Sequence, residues 1–240
     1  MTGTILLSYL VAGLIGYVFG AFPTGFFVGK LWNVDVRKHG SGRTGGTNVL
    51  RTVGWRAFAL TVTGDILKGV LPVLFARAVY PDYHGAHAAS VIGVLLGHNW
   101  SIWIALLARP DPALKFSPPP LGWIQRIIQQ GRGGAGVATT AGAVLTMFPP
   151  VPLLIAPIAI GALVISGYAS VGSLTAAILF PIVMLAFVMA GHAPWSYFIL
   201  AIIVCIIIIV VHKPNIERLR AGNERRFGAR LVQRRQKPPQ

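Results

Sequence analysis

Residues 202–211 read IIVCIIIIVV, ten positions without a charge. Runs of this kind recur along the chain in blocks of about twenty residues, the length that crosses the hydrocarbon core of a bilayer. With 54% apolar and 11% charged residues, the chain is expected to be an all-α, polytopic integral membrane protein rather than one or two soluble domains. About seven transmembrane helices are expected, near 5–30, 57–80, 88–108, 134–149, 151–168, 171–191 and 194–212. Pro149, Pro150 and Pro152 leave only a very short turn between the fourth and fifth. The first block continues into Gly-Lys-Leu-Trp without the small-residue pattern of a cleaved signal peptide, so it is expected to remain as a span. The single cysteine, Cys205, lies inside the last block and reads as a small core residue.

The formal charge is +15, and its distribution matters more than its size. Six basic residues fall in 30–56, four in 109–132 and nine in 213–237, so 19 of the 21 lysines and arginines lie in three segments. Seven spans put those segments on one side, which the positive-inside rule makes cytoplasmic. The N-terminus is then outside and the C-terminus cytoplasmic. A membrane domain over 1–212 and a basic cytoplasmic tail over 213–240 follow. Past Glu224 that tail reads as a topology signal that touches anionic headgroups, too diffuse to be a site. The charge is not read as a nucleic-acid surface.

The loop 39–54, HGSGRTGGTNVLRTVG, holds five glycines, two arginines and no acid. Its Gly40-x-Gly42-x-x-Gly45 spacing imitates a dinucleotide fingerprint, which has meaning only between a strand and a helix. Here it follows a membrane helix, so that reading fails. A Walker A loop fails because no G-K-[ST] occurs. Two readings stay open. Glycine N–H groups, Ser41, Thr47 and Asn48 with the planar fork of Arg51 suit a phosphate cradle; the same stretch also suits an ordinary flexible connector. Loop 131–140, GRGGAGVATT, leads into a helix N-terminus, where anions are favoured. Its glycines suit close helix packing equally, the role expected of Gly16/Gly20, Gly25/Gly29 and Gly93/Gly97. His212 and Asn215 stand where the last span leaves the membrane, and SGYASVGS, residues 166–173, is the remaining loop of that face. All four polar segments converge there.

These segments resemble the motifs of the acyl-phosphate-dependent glycerol-3-phosphate acyltransferase family of bacterial membranes, PlsY. VDVRKHGSGRTGGTNVLRTVG is similar to that family's first motif, TGDILKG to its second-helix D-x-x-K-G, and GHNWSIWI to the G-H segment before its second motif. GYASVGS and HKPNIERLRAGNE resemble its later serine loop and third motif. The resemblance implies transfer of an acyl group from acyl phosphate to the sn-1 hydroxyl of glycerol 3-phosphate, giving lysophosphatidic acid and phosphate. It implies an active site on the cytoplasmic face of the inner membrane, with no cofactor and no metal. It also implies a soluble enzyme that makes the acyl phosphate. Ser41, Arg51, His212 and Asn215 are the catalytic candidates. Gly42, Gly45, Thr47, Asn48, Arg132, Gly133, Gly134, Gly136 and Ser173 are the phosphate-binding candidates.

Departures from the family's pattern are specific. Its second motif reads K/R-G-G-K-G, and here it is Arg132-Gly-Gly-Ala135-Gly. Arg43 stands for asparagine and Gly46 for alanine in the first motif, and an insertion spans about 109–131. Part of the insertion, LGWIQRIIQQ, is an amphipathic stretch suited to the membrane surface. Loss of one preorganised donor costs about 10²–10³ in rate, unless Arg43 or Arg126 supplies the charge. The mechanism implied is direct attack of the glycerol hydroxyl on the acyl carbonyl, with a substrate phosphate oxygen taking the proton. His212, the only candidate histidine near the site, is expected to orient the third motif, and Asp65 with Lys68 to form a structural ion pair. The alternatives are an impaired homologue that binds phosphate-bearing lipid precursors or a partner, and a membrane transporter. A transporter would carry midplane charges and paired repeats, and no repeat is seen.

Overall fold

A computed structural model describes residues 2–107 and 115–228. Residue 108 of the expected third span, 109–114 of the expected insertion and 229–240 of the basic tail lie outside the described residues.

Among the described residues the chain is helical wherever it is regular. Helix α1 (Thr2–Ala21) breaks at Phe22-Pro23 and resumes as α2 (Thr24–Leu31). A 3-10 turn (Val36–Lys38) and α3 (Gly46–Thr52) lead into α4 (Trp55–Val79). Then come α5 (His84–Asn99), α6 (Ile102–Leu107), α7 (Leu121–Gln130), α8 (Val137–Met147) and α9 (Pro150–Ser166). Helices α10 (Ala169–Met189), α11 (Trp195–Val211) and α12 (Lys213–Arg220) complete the order.

The helices differ in length from the expected spans. Among the described residues, Gly3–Leu31, Trp55–Val79 and Ala169–Met189 are long and apolar enough to cross a membrane; α11 and α12 make a fourth if their 57° bend is ignored. Helix α8 has 11 residues, about 16 Å against a core of about 30 Å. It begins at Gly136 in the left-handed region and stops at Phe148, before Pro149. The expected 88–108 span divides at Trp100, which forms a bridge with Arg132.

The break in α1/α2 is satisfied from inside the protein. Pro23 has no N–H to offer and the preceding carbonyls would go unpaired in lipid. Lys68 Nζ donates to the Phe22 carbonyl at 2.8 Å, and the Ser101 hydroxyl donates to that of Ala21. Helices α1 and α5 cross at glycines: a Cβ on Gly16 or Gly20 would strike the carbonyls of Ser90 and Val94, and one on Gly93 or Gly97 those of Gly13 and Tyr17. This is the close approach expected of small residues in lipid. Gly25 behaves otherwise, since it faces the Thr44 carbonyl of loop 39–54 and so fits α2 against the loop. Val73, Leu95, Met147, Met184 and Leu200 share one core between α4, α5, α8, α10 and α11. Apolar side chains also face outward, with Ile165 90% exposed and Met189 71%, as lipid contact requires.

Candidate active site

Loop 39–54 is an organised structure built around Asn48. The Asn48 Oδ1 accepts from the Ser41 N–H at 2.9 Å. Its Nδ2 faces three carbonyls, of Val36 at 2.9 Å, His39 at 3.1 Å and Arg43 at 2.7 Å. The loop passes through the left-handed region at Gly40 and Gly42, and a side chain on Gly40 would run into Asn48 Oδ1. Just upstream, Arg37 donates to Asp35 through its backbone N–H and its Nε, which holds the Asp35 carboxyl below its ordinary range. The flexible-connector reading of this loop is therefore set aside.

Loop 131–140 is held against it by α4 and α5. Gly133 N–H donates to the Asn99 carbonyl at 3.0 Å, and Ser101 N–H to that of Gly131 at 2.8 Å. A side chain on Gly134 would collide with His98 Nε2 and crowd Gly45. The other nitrogen of His98 meets the Thr139 hydroxyl at 3.0 Å and lies 3.8 Å from Asp65 Oδ1. Asp65 in turn pairs with Lys68 at 2.9 Å. Thus the buried ion pair braces the histidine that backs loop 131–140.

The two loops, the start of α10 and the bend between α11 and α12 enclose a cavity of about 670 Å³. Ser41, Gly45, Thr47, Asn48, Arg51, Arg132, Gly134, Gly136, Ser173, His212 and Asn215 all line it. Gly42 and Gly133 are not among the lining residues. Gly42 sits on the Arg37 side of its loop, and the Gly133 N–H is already taken by Asn99, so neither offers a donor to the cavity. Ala135 lines it as well. Helices α8 and α10 both start here without a side-chain cap, which leaves first-turn N–H groups for an anion.

The polar end of the cavity is strongly cationic. Arg43 donates to the Gly134 carbonyl at 3.3 Å and to the Val211 carbonyl at 2.8 Å, so it ties both loops to α11. Burial, reinforced by Arg132 and Arg218, pushes the Arg43 guanidinium down to about 10, still charged at neutral pH. Burial also lowers Arg51, which donates to the Arg225 carbonyl at 2.9 Å. Glu224 Oε1 accepts from Asn215 at 3.1 Å, and its Oε2 accepts from Arg218 at 2.8 Å. His212 Nδ1 donates to the Ile208 carbonyl at 2.8 Å, which fixes its ring toward the cavity with Nε2 as an acceptor.

Several lining residues were not foreseen. The stretch after Glu224 is not diffuse where it is described: Phe227 N–H donates to the Gly167 carbonyl at 2.8 Å, and its ring packs edge-on against Trp55 and Phe58. Arg225 and Phe227 thereby close the cavity. His98 is a second histidine at the site beside His212. Thr140 and Ser170 carry buried hydroxyls without a hydrogen-bond partner among the described residues. Arg126 is not a lining residue; it lies over the Trp123 ring at 5.6 Å.

The other end of the cavity is apolar, lined by Val144 of α8, Val151 and Ile155 of α9, Phe180 of α10 and Val204 and Ile208 of α11. One chamber therefore joins a cationic head to an aliphatic limb.

Comparison with known proteins agrees with this geometry. The family described as glycerol-3-phosphate acyltransferase matches residues 10–107 and 119–222. The matched stretches leave only 108–118 between them, so α7 falls inside the matched region. The chain is 34% identical over 226 residues to glycerol-3-phosphate acyltransferase 2 of Moorella thermoacetica, across 92% of this chain and 99% of that one. It is 36% identical over 228 residues to the glycerol-3-phosphate acyltransferase of Clostridioides difficile, across 93% and 97%. Among solved structures it is similar to the glycerol 3-phosphate form of PlsY (YgiH), an integral membrane glycerol 3-phosphate acyltransferase. That match has a TM-score of 0.74 at 30% identity and covers 94% of this chain and 98% of that one. The lysophosphatidic acid form of the same protein matches with a TM-score of 0.72 at 30% identity, over 93% and 97%.

Proposed function

The chain belongs to the glycerol-3-phosphate acyltransferase family, and from that premise we propose that it acylates glycerol 3-phosphate in phospholipid synthesis. One observation carries the proposal: the cavity unites five arginines, Arg43, Arg51, Arg132, Arg218 and Arg225, with an aliphatic limb. A small diphosphate or sugar phosphate has no use for the limb, and a plain lipid has no use for the arginines.

The donor in this reading is acyl phosphate, supplied by a soluble enzyme that makes it, and the acceptor is the sn-1 hydroxyl. Its acyl chain occupies the apolar limb and the two phosphate groups share the cationic head. The hydroxyl oxygen forms a new C–O bond at the carbonyl carbon, the C–O bond to phosphate breaks, and the hydroxyl proton passes to a substrate phosphate oxygen. Inorganic phosphate leaves. Arg51, Arg132 and the first N–H groups of α8 and α10 stabilise the charge that collects on it. Ser41, Thr47 and Ser173 hydrogen-bond the glycerol phosphate, while His212 and Asn215 hold the third motif in place. Arg43 replaces the cation missing at Ala135, which supports turnover; its guanidinium already reaches the neighbouring Gly134 carbonyl. Ala135 on the cavity wall also favours a second reading, an impaired homologue that binds the precursors without turning them over.

In this reading the head faces the cytoplasmic side of a bacterial inner membrane, with the N-terminus outside and seven crossings, some of them short; the positive-inside rule supports it. Helix α7, with Leu121, Trp123, Ile124 and Ile128 exposed, lies on the membrane surface.

The donor is tested by giving purified protein glycerol 3-phosphate with either palmitoyl phosphate or palmitoyl-coenzyme A and reading the product by mass spectrometry. Lysophosphatidic acid acylated at sn-1 should form from the phosphate alone. Product from the thioester would contradict the assignment of the donor, and tight glycerol 3-phosphate binding without product would favour the second reading.

A further inference from the structure

The aliphatic limb ends among four helices. Along α10 the lining runs through Gly172, Ser173, Ala176 and Ala177 to Phe180 and no further. Met184 and Val188 continue the same face of α10, but both are buried in the packed core. Helix α11 lines the cavity at Ile208 and Val204, and one turn on, Leu200 and Ala201 are buried in that core. Helix α8 stops at Val144, one turn before buried Met147. Helix α9, which runs the other way, reaches Val151 in its first turn. Helices α8, α10 and α11 thus leave the cavity within a turn of Val144, Phe180 and Val204, α9 begins there, and Met147, Met184 and Leu200 carry the same core onward.

Phe180 is the largest side chain at this floor, and every lining residue before it on α10 is small. From Ala169 to Phe180 the cavity, head and limb together, follows α10 for about 16 Å, at a rise of about 1.5 Å per residue. We propose that Phe180 is the specificity-determining residue that limits acyl-chain length, resting on the acyl-transfer reading above. A chain that reaches Phe180 gains burial with each methylene; the next methylene meets the ring and the core behind it. The limb has an open side, because Ala156 and Ile160 of α9 line it and are also exposed. A chain enters there from the bilayer without changing where the limb ends.

The test is a comparison of kcat/KM across saturated acyl phosphates from lauroyl to arachidoyl, with each variant normalised to its own best substrate. Phe180→Ala should move the optimum to longer chains. A methylene given buried space is worth about fourfold, so two more should favour the longer chain by about fifteenfold. Phe180→Trp and Val144→Phe, which lift the floor, should move the optimum to shorter chains. Phe180→Leu, a milder change if alanine weakens the core, should shift it the same way as alanine by a smaller factor. An active wild type whose length profile is the same in all variants would overturn the proposal and mean that the chain leaves sideways past Ala156 and Ile160. A folded wild type inactive on every chain length would overturn the acyl-transfer reading itself, and the ruler with it.

Discussion

Replacing Asn48 by aspartate keeps the acceptor that the Ser41 N–H uses but sets a carboxylate oxygen against the carbonyls of Val36, His39 and Arg43. The loss of those donors in a buried loop costs about 3 kcal/mol, so Asn48→Asp should lower both the melting temperature and the activity. Arg51→Ala should lower activity, since Arg51 lines the cationic head of the cavity. Arg43 and Arg126 separate just as clearly. Removal of Arg43 should cost about 10²–10³ in rate, while Arg126→Ala, away from the cavity, should stay within about twofold. A kinetic comparison of the two purified variants decides which arginine compensates for Ala135. At this scale the sequence exposed the polar residues but not their duties. Asn48, a phosphate-ligand candidate by sequence, also holds its loop together through Ser41, Val36, His39 and Arg43, and His98 meets Thr139 and Asp65, both more than thirty positions away. No local pattern encodes such meetings.

The helices depend on backbone contact at a few glycines. Gly93→Ala should place a methyl on the Gly13 carbonyl and Gly142→Ala one on that of Ile66, each costing about 1–3 kcal/mol as overpacking. Gly161→Ala on α9 meets nothing within 4 Å and should leave the melting temperature unchanged or slightly raised. Thermal unfolding of the three variants in one detergent checks the contrast. The order of helices and the short turn at Pro149 were legible, because apolar runs and prolines are local features. The short α8 and the division at Trp100 were not. Both follow from pairing between remote segments, Trp100 with Arg132 and Ser101 with Gly131, which let the chain leave its helix while keeping its backbone bonded. Likewise Gly25 matched the small-residue spacing of a helix crossing but packs on a loop.

Across the whole molecule, charge and chemistry share a direction. Among the described residues, arginines of all three basic segments, Arg43, Arg132 and Arg218 among them, line the cationic head of the cavity, which continues into the aliphatic limb. Cysteines introduced at Ala221 and at Ala190, both exposed, should label from opposite sides of sealed vesicles, the first from the cytoplasmic side. Labelling of both from one side would refute the seven-crossing topology. The central claim is tested most directly by phosphate release from purified protein given palmitoyl phosphate, with and without glycerol 3-phosphate, beside Arg51→Ala. Release that requires glycerol 3-phosphate and is lost in the variant is the predicted result. Well-folded protein that releases no phosphate, or releases it equally without the acceptor, would contradict it.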